Sequence, residues 1–286
     1  MTAWRTPVAI AVQPWFADHC FNGKVVLPAV ETMLLLAAWV AGTHPEVDIR
    51  VMDNVRFARF LEIPEGGASV AALIESREKE NGSIHVKLLS RRQFKGMTRL
   101  QEHGEMLFSP PRTNRGNYGS TLAPVCPADP EMGIPAEQVY RELVPFGPSY
   151  HTLQESLHLS GQSAWAKLKA PALRTSADSV RDSLGSPFPL DGALHAACVL
   201  GQRLADFVPF PVGFGRRIIL RPTQPGGSYR TRVELLSLTR DELVFDLNIF
   251  DDTGQVYESV TGVRMRDVSG GRIKPPEWIK ERNKKG

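Results

Sequence analysis

Two stretches of this chain are apolar almost all the way round a helical wheel: "PAVETMLLLAAWVAG" (28–42) and "PLDGALHAACVLGQRLAD" (189–206). A helix without a broad polar face has to be enclosed by the rest of its own protein or by lipid. The first run carries Glu31 and falls short of the roughly 18 apolar residues a bilayer span needs, so a core helix is predicted. Pro28 stands where the first helical residue is tolerated, and Gly42 follows as a stop. Whatever fold the chain adopts must wrap two separate helices.

The wrapping material follows each helix. After the first come "DIRVMDNVRFARFLEI", "ASVAALIESREKE", "SIHVKLLSRR" and "TRLQEHGEMLFS", alternating or β-branched and parted by the turn signals "PEGG" and "ENGS". After the second come "GRRIILRPT", "SYRTRVELLSLT", "DELVFDLNIFDD" and "QVYESVTGVRMRDVS". One apolar helix can cover one apolar face of an antiparallel sheet, so the chain reads as two α+β halves of like organisation and unlike letters. The boundaries predicted are 1–112 for the first half, a Pro/Gly/Ser/Asn-rich linker at 113–134, 135–270 for the second half and a polar, basic tail at 271–286. The second half opens with a short helix in "PAEQVYREL".

Composition removes several function classes. With 42% hydrophobic and 23% charged residues the chain is too apolar to be disordered. Its net charge of +3 sits partly in "KERNKKG" and gives no footprint for nucleic acid. Cys20, Cys126 and Cys198 have neither disulfide nor metal spacing, and "MTAWRTPVAI" lacks the anatomy of a signal peptide. The expectation is a cytoplasmic protein off the membrane. There is no phosphate loop, HExxH or paired cysteine, so neither a metal nor a nucleotide cofactor is indicated.

Two titratable groups stand at the helix entrances. His19 lies in "ADHCFNGKVVLP", ahead of Gly23 and Pro28. It is either a loop histidine or a base, held beside helix-entrance amides that could stabilise charge on a carbonyl oxygen. Asp191 opens the second helix with His195 four residues on, on the same face. It is either an acid that favours the helix dipole or a proton donor in a partly buried space, where burial raises a carboxyl pKa. One base and one acid, one from each half, make a composite site.

These elements resemble the dehydratase domains of polyketide synthases and related fatty acid synthases. His19, Gly23 and Pro28 match that family's HxxxGxxxxP motif, and "PLDGALH" is similar to its second motif, an Asp followed four residues later by Gln or His. "LVPFGPSYHTLQ" resembles its GYxYGPxF element, with Gly147, Pro148 and Tyr150 in the matching places, and "FVPFPVGFGRRIIL" resembles its LPF-type segment. With the final strands, the likeness runs in order from about residue 10 to 267. It implies a double hotdog fold, two helix-in-sheet units fused in one chain. The implied activity is dehydration of 3-hydroxyacyl thioesters held on the phosphopantetheine of an acyl carrier protein, with no further cofactor. Carried over by position, His19 abstracts the α-proton and Asp191 protonates the leaving hydroxyl, with His195 orienting it. The Gly23 amide binds the thioester carbonyl, Pro28 fixes the helix entrance, and Phe146, Gly147, Pro148 and Tyr150 form the substrate tunnel. Two positions depart from the pattern: Phe146 stands where Tyr is frequent, and His195 where Gln is commoner.

The resemblance also implies a carrier protein and other synthase components as partners, and is compatible with a homodimer. Of the basic pairs Arg91–Arg92 and Arg216–Arg217, the second is the preferred carrier contact because it follows the LPF-type segment. Asp18 reads as a solvated loop acid, His151 as a core or surface histidine, and Cys20 and Cys198 as small core residues. The rival readings are a double-bond isomerase or cyclase on the same scaffold, a thioesterase, and a non-catalytic carrier-binding module. Intact His19 and Asp191 lean against each of them.

Overall fold

The computed structural model describes residues 3–94, 96–110, 126–173 and 179–280. In the first half, strand β1 (Trp4–Ala11) leads through a 3-10 turn at Pro14–Asp18 into a small hairpin, β2 (Cys20–Phe21) and β3 (Lys24–Val25). Helix α1 (Ala29–Thr43) follows, then β4 (Val51–Phe57), β5 (Ser69–Glu78), β6 (Ile84–Phe94) and β7 (Met97–Phe108). The second half opens with β8 (Met132–Pro135), helix α2 (Ala136–Gln138) and a π-helical turn at Val139–Leu143. It continues with β9 (Leu153–Ser160), β10 (Ser163–Lys169), α3 (Ser179–Leu184) and α4 (Phe188–Leu204). Strands β11 (Phe210–Ile219), β12 (Ser228–Leu238), β13 (Glu242–Phe250) and β14 (Val256–Arg266) complete it.

The main strands form one antiparallel sheet of twelve, in the order β1-β5-β6-β7-β4-β11-β14-β13-β12-β10-β9-β8. The halves join where β4 pairs with β11, Val51 opposite Ile218 and Arg56 opposite Gly213. That join needs a glycine. Gly213 has φ +151°, and a Cβ there would lie 2.2 Å from the Val55 carbonyl oxygen. Each half of the sheet encloses one apolar helix, the double hotdog arrangement. Met33, Leu36, Ala37 and Val40 of α1 have no exposed surface, nor do Ala193, Ala196, Ala197, Val199 and Leu200 of α4. The small side chains of α4 let the sheet close tightly on it. Pro28 caps α1 in an extended conformation, and its carbonyl accepts the Thr32 N–H at 3.0 Å. Among the described residues no helix is long and apolar enough to cross a membrane.

The boundaries differ from the sequence reading in three places. β1 had no predicted counterpart. Its burial pattern is almost wholly exposed, so it lacks the apolar alternation that marks a strand. β8 begins inside the expected linker at Met132 and pairs with β9; residues 111–125 lie outside the described residues. The described part of the expected surface tail, up to Lys280, turns inward instead at Trp278 and Ile279. Ile279 is fully buried, Trp278 packs on the core, and Lys280 is ion-paired with Asp206.

Two buried ion pairs sit in this frame. Glu31 of α1 accepts from Trp15 Nε1 at 3.1 Å and from Arg181 of α3 at 3.0 Å, tying one half to the other. Burial pushes its carboxyl up in pKa and Arg181 pulls it back. Arg217 of β11 is bound to Glu258 of β14 at 2.7 and 2.9 Å, with the thioethers of Met33 and Met52 against its guanidinium. This removes Arg217 from the expected carrier contact. Successive strand residues point to opposite faces, so Arg217 enters the core, with 2% of its side chain exposed, while Arg216 lies 3.3 Å from Asp53. Glu258→Gln should destabilise the protein by about 3–5 kcal/mol, because it strands a buried guanidinium. The double change Arg217→Met, Glu258→Leu should recover most of that loss. Denaturant unfolding checks both, and equal losses would contradict the account.

Candidate active site

The site begins with a clamp between the halves. The Asp18 carbonyl accepts the Gly147 N–H at 2.8 Å, and its carboxylate accepts the Ser149 N–H at 2.8 Å. A Cβ on Gly147 would sit 2.4 Å from Asp18 Oδ1, so the contact depends on glycine. Asp18 is therefore not the solvated loop acid expected. It binds the 147–149 turn of the second half to the residue next to His19.

His19 is itself fixed by backbone. Its N–H donates to Phe16 O at 2.9 Å, its carbonyl accepts the Val26 N–H at 3.0 Å, and its ring Nδ1 lies 3.1 Å from Val26 O. A carbonyl can only accept, so Nδ1 carries the proton and Nε2 keeps its lone pair. The ring stacks on Phe146, centroids 4.4 Å apart and planes 15° apart, with Tyr150 at 5.1 Å. Burial pushes the His19 pKa below 6.5, and the Asp191 carboxylate opposes that shift only in part. The imidazole is neutral at neutral pH, the form a base needs.

Asp191 lies in the first turn of α4 and His195 one turn on, 5% and 4% exposed. His195 Nε2 is 3.0 Å from Asp191 Oδ2, in contact but off the line of a good hydrogen bond. The other ring nitrogen, Nδ1, lies 3.4 Å from the Tyr140 hydroxyl, which also accepts the Leu153 N–H at 2.9 Å. Burial pushes the Tyr140 phenol up to about 12, so it stays a neutral partner. Tyr140 stacks at 4.2 Å on His151, whose Nε2 donates to Phe146 O at 2.9 Å. Sequence reasoning missed Tyr140. The spacing of Val139, Tyr140 and Leu143 marks it as core, but nothing local names its partner.

Both sets of residues open on one cavity of about 520 Å³ between the halves. Its wall includes His19, Ala29 and Phe60 from the first half and Phe146, Asp191 and His195 from the second. Phe146 stands against both imidazoles, with His195 at 5.3 Å. Cys198 is on the wall, and burial raises its thiol to about 12, so it is no nucleophile.

Of the residues expected from sequence, the structure brings His19, Phe146, Asp191 and His195 together. Gly23 is placed elsewhere: it forms the exposed tip of the β2–β3 hairpin, φ +75° after Asn22 at +50°, and the neighbouring wall residue is Asn22. Pro28 caps α1 behind Ala29 rather than meeting the cavity. Tyr150 is fully buried behind His19 and Phe188, off the wall, and Gly147 and Pro148 shape the clamped turn instead of the tunnel.

Residues 122–273 match the family described as polyketide synthase dehydratase N-terminal domain, and residues 1–91 match the family described as polyketide synthase dehydratase domain. Over 270 residues the chain is 25% identical to polyketide synthase ThaG of Burkholderia thailandensis, covering 91% of this chain but only 4% of that protein's length. The fold is similar to the dehydratase domain of RzxB from Pseudomonas fluorescens (17% identity, TM-score 0.68, 92% of this chain and 94% of that one). It is also similar to a trans-AT PKS dehydratase domain from Brevibacillus brevis (20% identity, TM-score 0.68, 92% and 93%).

The electrostatics of the pair can be read directly by NMR. The His19 imidazole should titrate below pH 6.5 in the wild type. In Asp191→Asn it should titrate lower still, because the charge that raises it is gone. An upward move in that variant would show that Asp191 does not face His19.

Proposed function

Since the chain belongs to the polyketide synthase dehydratase family, we propose that this cavity removes water from a 3-hydroxyacyl thioester to give the 2-enoyl thioester. The observation that carries the reading is the pairing of a neutral imidazole, its Nε2 lone pair free, with an aspartate from the other half across one apolar cavity.

In this reading His19 Nε2 takes a proton from the carbon next to the thioester carbonyl. For the reaction Asp191 has to take up a proton when substrate binds; it gives that proton to the 3-hydroxyl, the C–O bond breaks, and water leaves as the double bond forms. The imidazolium then returns a proton to the carboxylate, so nothing is consumed. His195 holds the acid side of the cavity through Tyr140 and is a positioning residue. With Gly23 away from the wall, support for charge on the thioester oxygen falls to the start of α1, where Ala29 meets the cavity and the first-turn amides lack intrahelical acceptors. The substrate is carried on an acyl carrier protein within a synthase, so its pantetheine arm supplies the thioester and no other cofactor takes part. An isomerase or a cyclase would use the same base and often has less need of the acid, so an aspartate kept inside the cavity leans towards dehydration.

Incubation of 3-hydroxybutyryl pantetheine with the protein should give a product lighter by one water in mass spectrometry. Asp191→Asn should lower that turnover by about 10²–10⁴ while the protein stays folded. His19→Ala should abolish both water loss and deuterium exchange at the α-carbon. Exchange that survives in His19→Ala would assign the base elsewhere.

A further inference from the structure

With Arg217 in the core and Arg216 beside Asp53, the expected carrier contact loses its basic pair, and the other basic pair, Arg91–Arg92, lies on an unusual element. β6 pairs with β5 only as far as Leu89, opposite Leu73, and β7 pairs with β4 only as far as Gly104, opposite Phe57. Among the described residues, beyond those points the two strands pair with each other alone, out to Phe94 opposite Met97. The result is a two-stranded ribbon reaching about 16 Å past the sheet at ~3.3 Å per residue. A ribbon flanked by no third strand is marginal by itself.

Its composition is one-sided. The segment "RRQFKGMTRLQ" (91–101) contains four basic residues and no acid. Arg92 and Arg99 are directly opposite each other, a like-charge pair that destabilises a ladder. On the same face are Phe94 and Met97, 49% and 55% exposed, with the Arg99 guanidinium 5.1 Å over the Phe94 ring. The acids further down the ribbon are engaged elsewhere: Glu105 by Arg56 at 2.6 Å and Glu102 by Lys87 at 2.7 Å. Folding brings two like charges opposite each other here, beside two half-exposed apolar side chains; an acidic surface with apolar spots would gain from both.

The ribbon also stands at the cavity. It leaves the sheet at His103, whose carbonyl accepts the Ala58 N–H at 3.0 Å and whose ring Nδ1 donates to Arg59 O at 3.2 Å. His103, Ala58, Arg59 and Phe60 all belong to the cavity wall. We propose that the Arg92/Arg99/Phe94/Met97 face of this ribbon docks the acidic carrier protein that delivers the acyl thioester to the cavity. This rests on the dehydratase reading above.

The test compares one acyl group on two carriers: 3-hydroxybutyryl on an isolated acyl carrier domain, and 3-hydroxybutyryl on free pantetheine. Arg92→Glu with Arg99→Glu should raise KM for the carrier-bound substrate about tenfold or more with kcat little changed, and should leave the pantetheine substrate untouched. Rising salt should raise the wild-type KM for the carrier-bound substrate alone. The milder Arg92→Gln, Arg99→Gln variant should lie between. An unchanged KM for the carrier-bound substrate, or equal losses on both substrates in both variants, would overturn the docking surface. No water loss from either substrate with the wild-type protein would overturn the dehydratase reading, and the docking surface with it.

Discussion

The site depends on holding two halves of the sheet in one fixed relation. His19 belongs to the first half and Asp191 to the second, so neither half alone owns a base and an acid. Three contacts set their relation. β4 and β11 share a ladder that admits only glycine at 213, Glu31 reaches Arg181, and Asp18 holds the 147–149 turn. The last matters most locally, because the clamp residue is the immediate neighbour of the histidine it positions. A charge beside a buried histidine invites an electrostatic explanation. Here the aspartate spends its lone pairs on backbone amides and acts through geometry.

The cavity wall supplies the second condition. Phe146 lies flat on His19 and near His195, and Tyr150 and Phe188 stand behind. This packing withdraws the imidazole from water and lowers its pKa, while the Val26 carbonyl decides which nitrogen keeps the lone pair. Residue 146 has no hydroxyl, so it contributes a surface and no hydrogen bond. The polar support of the acid side comes instead from Tyr140, reaching His195 from the π turn.

What the sequence made legible was whatever is local or periodic. The two enclosed helices, their following strands and the charged residues at the helix entrances were all visible in spacing and turn chemistry. Everything that depended on a partner from a distant strand was not. Arg217 reads as half of a basic surface pair until Glu258 is brought beside it, and Tyr140 reads as core until His195 arrives. Gly23 is correctly a turn glycine, yet a motif does not say which way a hairpin tip points. The tail failed for a simpler reason: its basic residues outvoted Trp278 and Ile279, although two apolar side chains are enough to turn a segment inward.

The β4–β11 ladder has a kinetic meaning as well as a structural one. Every other sheet contact within the halves joins strands from the same half, most of them near neighbours in the chain. This ladder closes a loop containing the greater part of the first half, the linker and helices α2, α3 and α4 of the second. Contacts of such sequence separation carry the largest loop-closure entropy and form late. A chain with both helices already wrapped would therefore show nearly full secondary structure and no assembled site. Assembly of the cavity marks the final step of folding, and during synthesis it cannot arise before the second half has emerged.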